Sequence, residues 1–298
     1  MLRLTRTVAL ASAVLAGLSL SIPFEAVRAA DFVATPLASV VLDAEKRLSA
    51  RVGVSVIDLE TGTRWQNRAD ERFPTNSTFK TFLCAAFLDA GARGAVDPDR
   101  AIVIRQSDIV SYSPVAKEKV DGAPVTLREL CATTVTISDN AAANLVMKEL
   151  GGPEAVTAYL RSIGDEVTRV DRWEPDSNSG IPGDARDTTS PNAAAETLKK
   201  LVLEETLPDA ERRLLTKWLV GNKVGDATLR AGLPEGWRIA DKTGAGANGS
   251  RNNIAVIWPE GRKPVVIAIY ITQTAASFKA RNAAIADIGQ ALAASLAP

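Results

Sequence analysis

The sequence predicts an α/β fold of the α+β type: an antiparallel sheet flanked by helices and built from both chain ends, plus an all-helical domain, with a cleft between them. Three observations carry this expectation. Val52, Val54 and Val56 alternate with the period of a strand close to the start of the chain. Three more strand-like segments appear only after Trp237, joined by Gly- or Pro-containing turns that suit antiparallel pairing. Between them, residues 77–219 are mostly rich in Ala, Leu and Glu at helical spacing.

In chain order, residues 1–29 read as a secretory signal. Arg3 and Arg6 give a positive start, residues 8–20 form an apolar or small-residue run, and Val27-Arg28-Ala29 supplies a cleavage pattern near Ala29. The run is too short for a membrane span, which needs about 18 consecutive apolar residues. Export through the general route to the periplasm is therefore expected, with no membrane association after cleavage. Residues 36–50 carry Leu37, Val40, Val41, Ala44 and Leu48 at helical spacing. A strand over 51–58, a turn at Asp58-Leu59-Glu60-Thr61-Gly62 and a second strand over 63–67 follow. The helical block is broken over 172–187 by two Pro, two Gly and several Asp, Asn and Ser residues; a loop of this length inside a domain is either functional or disordered. Strands are expected again over 238–243, 250–258 and 264–272. A last helix over 277–296 has Ile285, Ile288 and Leu292 on one face. Residues 30–72 and 222–298 thus form one discontinuous α/β domain, and 73–221 a helical domain that includes the 172–187 loop.

The composition narrows the chemistry. The 298 residues hold 35 basic and 35 acidic side chains, two Cys and no His. After loss of the leader, 32 basic face 34 acidic groups, so there is no basic excess for a nucleic-acid partner. Without His there is no Ser-His-Asp triad and no His-ligated zinc, and two Cys cannot build a thiolate metal site. No metal and no cofactor are expected. Proton transfer falls to carboxylates, lysines or hydroxyls.

Three short motifs offer those groups. Ser77-Thr78-Phe79-Lys80 precedes the apolar run Phe82-Leu83-Cys84-Ala85-Ala86-Phe87, which puts Ser77 at a helix start with Lys80 one turn on, on the same face. A lysine can serve as the base that a serine nucleophile needs; equally, Ser77 could only cap the helix and Lys80 be solvated. Ser138-Asp139-Asn140 stands before a helical run over 141–150, where Ser, Asp and Asn are also good caps. Lys242-Thr243-Gly244 ends a strand, where a lysine beside a turn is unremarkable. Taken singly, none of the three distinguishes chemistry from structure.

In this order, S-x-x-K, S-D-N and K-T-G form the signature of class A β-lactamases and penicillin-binding proteins. The chain beyond its leader resembles a class A serine β-lactamase over nearly its whole length. Arg172-Trp173-Glu174-Pro175-Asp176-Ser177-Asn178 resembles the family's E-x-x-x-N segment, which penicillin-binding proteins lack. The resemblance implies a two-step acyl transfer with β-lactam substrates. Ser77 would attack the lactam carbonyl, with the N–H groups of Ser77 and Ala245 on the oxyanion. Ser138, linked to Lys80 and Lys242, would relay a proton to the leaving nitrogen. Asn140 would hold the acylamino side chain, and Thr243, Lys242 and Arg251 the substrate carboxylate. Glu174, sharing a water with Asn178, would release the product. The acylation base, Lys80 or Glu174 through water, stays open.

By the same resemblance Arg172 and Asp187 tie the loop ends, Glu174–Pro175 is cis, and Tyr112 forms an aromatic gate at the cleft mouth. Cys84 and Cys131 would form a disulfide in an exporting context. The positions of a cysteine pair found in several carbapenemases hold Asn76 and Gly246, and Ala245 lacks a hydroxyl. These departures point to a penicillinase with some early-cephalosporin activity, acting as a monomer. The alternative is a soluble penicillin-binding protein or sensor that is acylated without efficient turnover.

Overall fold

The computed structural model describes residues 32–296 and, before them, only Leu2. The leader expected over 1–29 lies outside the described residues. Helix α1 (Ala34–Leu48) buries Leu37, Val41, Ala44 and Leu48, spaced to share one face. It ends at Ser49, whose left-handed backbone (φ 46°) turns the chain into strand β1 (Arg51–Asp58). The next strand, β2 (Arg64–Asn67), pairs antiparallel with β1, Val56 opposite Trp65. Val52, Val54 and Val56 face α1, while the intervening positions are small because the other face is crowded. At Gly53 a Cβ would lie 2.5 Å from the Phe73 ring, and Ser55 donates to Asn192 Oδ1 at 2.8 Å.

The short strand β3 (Phe73–Pro74) leads through a 3-10 turn (Asn76–Thr78) into α2 (Phe79–Ala92), whose side chains are buried nearly all round. A two-residue ladder, β4 (Ala101–Ile102) with β5 (Val125–Thr126), precedes α3 (Leu127–Thr136). Thr126 and Glu129 form a reciprocal capping box at its start. Helix α4 (Asn140–Leu150) is capped by Asp139 and ends at Gly151 with φ 101°, a conformation that suits glycine; α5 (Pro153–Ser162) follows with Pro at its first turn. After the long loop, β6 (Thr188–Thr189) pairs with β3. Helices α6 (Pro191–Leu203) and α7 (Asp209–Val220) complete the helical part, and the single turn α8 (Leu229–Gly232) already belongs to the other core, where Leu229 packs with Ile285 and Ile288.

The chain then forms β7 (Arg238–Ala245), β8 (Arg251–Trp258), β9 (Val265–Thr272) and α9 (Phe278–Leu296). The sheet order is β2-β1-β9-β8-β7, antiparallel throughout, with Arg51 opposite Thr272 and Asp58 opposite Val265. The first and last strands are therefore neighbours at the sheet centre, as an antiparallel sheet built from both chain ends requires. One core lies between the sheet and α1 with α9, including Val54, Ile269, Ile285, Ile288 and Leu292. The other lies between the opposite face, with Ile254, Val266, Ala268 and Tyr270, and the helices around α2. Cys84 of α2 and Cys131 of α3 form a disulfide, Cα–Cα 5.7 Å, which ties two of those helices together. Among the described residues no helix is long and apolar enough to cross a membrane.

Candidate active site

The three motifs meet where β7, the sheet edge, passes the 3-10 turn ahead of α2. At Gly244 an added Cβ would stand 3.2 Å from Ser77 N and 3.1 Å from Thr75 O, tight enough that a side chain there would push the two backbones apart by a few tenths of an ångström. Ser77 sits in the 3-10 turn rather than in the α-helix itself, following Asn76 at φ 42°. Lys80 lies one turn further along and is fully buried, contrary to the solvated alternative. Its Nζ donates to Ser138 O at 2.8 Å and to Asn140 Oδ1 at 2.5 Å, and pairs with Glu174 Oε1 at 3.0 Å. Two of these contacts are hydrogen bonds, and the third is an ion pair whose carboxylate oxygen makes no hydrogen bond of its own.

Within Ser138-Asp139-Asn140 the roles divide by backbone. Ser138 has φ 67°, turned out of the helix. Asp139 is the cap: Oδ1 accepts from Ala142 N at 2.9 Å, while Oδ2 accepts from Val115 N and Ala116 N at 2.9 and 3.0 Å. That carboxylate ties α4 to the segment after Tyr112, which is 57% exposed at the cleft mouth and has φ 57°. Asn140 is committed on both sides, its Nδ2 donating to Ser111 O at 2.8 Å while its Oδ1 takes Lys80.

Lys242 is on the edge strand yet fully buried, behind the cleft wall rather than in it. Its Nζ donates to Ser138 Oγ at 2.9 Å and to Thr243 O at 2.9 Å. The link expected from Ser138 to both lysines is therefore split: Lys242 holds the hydroxyl, and Lys80 holds the main-chain carbonyl. Burial pushes both amines below the ordinary lysine range. Glu174 opposes the shift at Lys80, and the Lys80 charge adds to it at Lys242.

The 172–187 loop is ordered around the Asp187 carboxylate. Asp187, buried, accepts from Asp171 N and Arg172 N at 2.8 and 3.0 Å and pairs with Arg172 Nε at 2.6 Å. Glu174–Pro175 is cis, and the 3-10 turn Asp176–Asn178 brings Asn178 Nδ2 onto Glu174 Oε2. Asn178 Oδ1 is buried with no protein partner. Asn144 clamps the Glu174 backbone from α4: its Nδ2 donates to Glu174 O at 2.8 Å and its Oδ1 accepts from Glu174 N at 2.9 Å. Sequence reasoning missed Asn144, although it stands four residues after Asn140, one turn along the same helix face.

In front of the buried lysines and Glu174 lies a cleft of about 740 Å³ lined by residues that include Ser77, Tyr112, Ser138, Asn140, Asn178, Thr243, Ala245 and Arg251. Arg251 is fixed by Asn282 Oδ1 (2.7 Å from Nε), by Gly244 O (3.2 Å from Nη1) and by the Phe278 ring 4.8 Å away. Burial, then the charge of Arg281, lowers its proton affinity to a pKa of about 10. Asn282 carried no sequence signal, because its partner is 31 residues away in another element. Asn76 and Gly246, where the cysteine pair is absent, do lie side by side: a Cβ on Gly246 would be 2.1 Å from Asn76 Nδ2.

Residues 36–296 match the model of the family described as the beta-lactamase enzyme family. The chain is 48% identical to Beta-lactamase AER-1 of Aeromonas hydrophila over 264 residues, covering 89% of this chain and 87% of that protein. It is 47% identical to Beta-lactamase CARB-4 of Pseudomonas aeruginosa, covering 83% and 86%. Among solved structures, an ancestral (GNCA) class A β-lactamase is 51% identical at a TM-score of 0.83, covering 86% of this chain and 98% of that one. The chromosome-encoded β-lactamase of Vibrio parahaemolyticus is 46% identical at 0.83, covering 85% and 96%. Identity at this level over most of both chains, on the same fold, means that this protein belongs to the class A serine β-lactamases and is a hydrolase of β-lactams.

Proposed function

We propose that the protein opens the lactam of penicillins, and of some early cephalosporins, through an ester on Ser77 that a Glu174-held water then cleaves. The observation that carries this is the pairing of buried Lys80 with buried Glu174 at 3.0 Å, one helical turn from Ser77. In acylation the Ser77 hydroxyl bonds to the lactam carbon and its proton passes to the Lys80–Glu174 pair. Lys80 donates to two acceptors and is paired with Glu174, so as an ammonium it accepts that proton only after yielding one to Glu174; direct transfer to Glu174 through water gives the same net result. The N–H groups of Ser77 and Ala245 stabilise the oxyanion. Ser138, whose hydroxyl Lys242 orients, delivers a proton to the leaving nitrogen. Thr243 and Arg251, which line the cleft, take the ring carboxylate with the buried Lys242 charge behind them, and Asn140 takes the acylamino group at the Tyr112 side.

In deacylation, the Glu174 carboxylate and the unpartnered Asn178 Oδ1 accept hydrogen bonds from a water and aim its oxygen at the ester carbon; as that C–O bond forms one proton passes to Glu174, and as the bond to Ser77 Oγ breaks the serine takes a proton back. A sensor that remains acylated needs no such pair of acceptors, which argues against that alternative. We further take the protein to be exported to the periplasm and to act as a monomer. The test is Glu174→Ala with a penicillin, followed by intact mass. The expected result is a persistent Ser77 adduct and a turnover loss of about 10²–10⁴-fold, the scale of a general base. Turnover at the parental rate would overturn the assignment.

A further inference from the structure

The segment that closes the cleft beside Ser138, residues 221–228, supplies none of the groups used above. It is built rigidly. Asn222 Nδ2 donates to the buried Asp241 Oδ2 at 2.9 Å, and Gly225 lies so close to that carboxylate that a Cβ would stand 2.6 Å from Oδ2. Asp241 is held in turn by Arg230 Nε at 2.8 Å. The next residue, Lys223, is fixed at its backbone, with N donating to Thr136 O at 2.8 Å, two residues before Ser138. Its side chain is exposed and lines the cleft. Among the described residues its ammonium has no ion-pair or hydrogen-bond partner; Asp226 of the same wall does not pair with it. Arg251 and the half-exposed Phe278 also line the cleft.

This placement has a consequence for substrates that rests on the acyl-enzyme reading above. If Ser138 protonates the lactam nitrogen, the ring fused at that nitrogen lies on the Ser138 side. The outer substituent of that ring then extends towards the wall that carries Lys223 and Val224. The ring carboxylate is taken by Thr243 and Arg251, so the Lys223 ammonium is left for a different anion. We propose that Lys223 is a specificity-determining residue that favours bicyclic β-lactams carrying a second anionic group on the outer substituent of the fused ring. An ammonium at a solvated rim acts mainly on binding and encounter and is screened by salt, whose Debye length is about 10 Å at 0.1 M.

The test uses two cephems with the same acyl side chain, one with a neutral acetoxymethyl group on the six-membered ring and one with a sulfonated substituent there. Each is assayed for hydrolysis and as a competitor of penicillin turnover, with the full-length enzyme, Lys223→Gln and Lys223→Glu. The expected result is that the preference for the dianionic compound falls about 3-fold in Lys223→Gln and about 10-fold in Lys223→Glu, in KM rather than kcat. In the parent enzyme the same preference shrinks as salt rises from about 20 mM to about 300 mM. An unchanged preference in Lys223→Gln, an equal loss for both compounds, or a salt-independent preference in the parent overturns the proposal. Should Lys223→Glu fail to fold, Lys223→Gln and the salt series still decide. Failure of the underlying reading is distinct, since it would show as a missing penicilloyl mass on the Ser77 peptide.

Discussion

Two lysines, Lys80 and Lys242, are buried within one polar cluster, an arrangement that burial alone would forbid. Lys80 is compensated by Glu174, Asn140 Oδ1 and Ser138 O, whereas Lys242 has only two acceptors and a second cation nearby. The buried Lys242 amine therefore binds its proton less readily in the folded chain than in the unfolded one, where lysine titrates near its ordinary 10.5. Between the lowered folded value and 10.5, the unfolded chain holds more protons, so stability should rise with pH in that window. Comparing the parent with Lys242→Met by denaturant titration from neutral to alkaline pH isolates this group. The parent-minus-variant stability should climb by up to about 1.4 kcal/mol per pH unit inside the window and stay flat outside it. A flat difference throughout would mean that Lys242 is not held below its ordinary range. At this scale the motif residues were legible only as a set, because S-x-x-K, S-D-N and K-T-G in that order match a family signature that none of them carries alone. Asn144 and Asn282 were not, because an asparagine that clamps a backbone or an arginine looks like any other polar residue until its partner is known.

At the scale of elements, the site depends on helix starts and one closed loop. The 3-10 turn before α2 and the cap of α4 place Ser77, Lys80, Ser138 and Asn140 on rigid supports, while Glu174 stands on a loop whose ends the Asp187 and Asp171 carboxylates close reciprocally. Asp187→Ala removes the acceptor of two main-chain N–H groups and the partner of Arg172, all in a site where Asp187 is 1% exposed. Breaking a buried pair costs about 3–5 kcal/mol. The expected outcome is that stability falls on that scale, that amide exchange accelerates over the loop, and that turnover drops by about 10²-fold as Glu174 loses its position. Protection of the loop amides at the parental level would contradict this. The long strands were placed within a residue or two at most ends because their Val- and Ile-containing runs are bounded by turn residues, although only β1 alternates; β7 runs on through Gly244 and Ala245, which glycine content made look like a turn. The short β3, β4, β5 and β6 were not legible, since two-residue ladders leave no periodicity.

For the whole molecule, the joining of β1 to β9 makes the sheet depend on contacts between the two ends of the chain, and non-local pairing of this kind slows folding. The Cys84–Cys131 bond, with a separation of 47 residues, acts in the helical part instead. In the chain-entropy model it contributes at most about 4 kcal/mol. The Cys84→Ala/Cys131→Ala double variant is expected to lose about 2–4 kcal/mol in denaturant unfolding while its folded fraction keeps the parental kcat/KM, because neither sulfur reaches the cleft. An equal loss of kcat/KM in fully folded protein would show that the bond also positions α2.

The order of the three motifs and the exclusion of imidazole chemistry were present in the amino-acid sequence by itself, because they depend only on which side chains exist and in what order. The sheet's long strands were legible there for the same reason. Only the tertiary structure decided that Lys80 meets Glu174 and that Lys242 rather than Lys80 holds the Ser138 hydroxyl. It also decided that Asn144 grips the loop and that Lys223 faces the cleft without a partner. Each of these is a distance between residues far apart in the chain, and burial and hydrogen-bond geometry, which local patterns do not encode, set it.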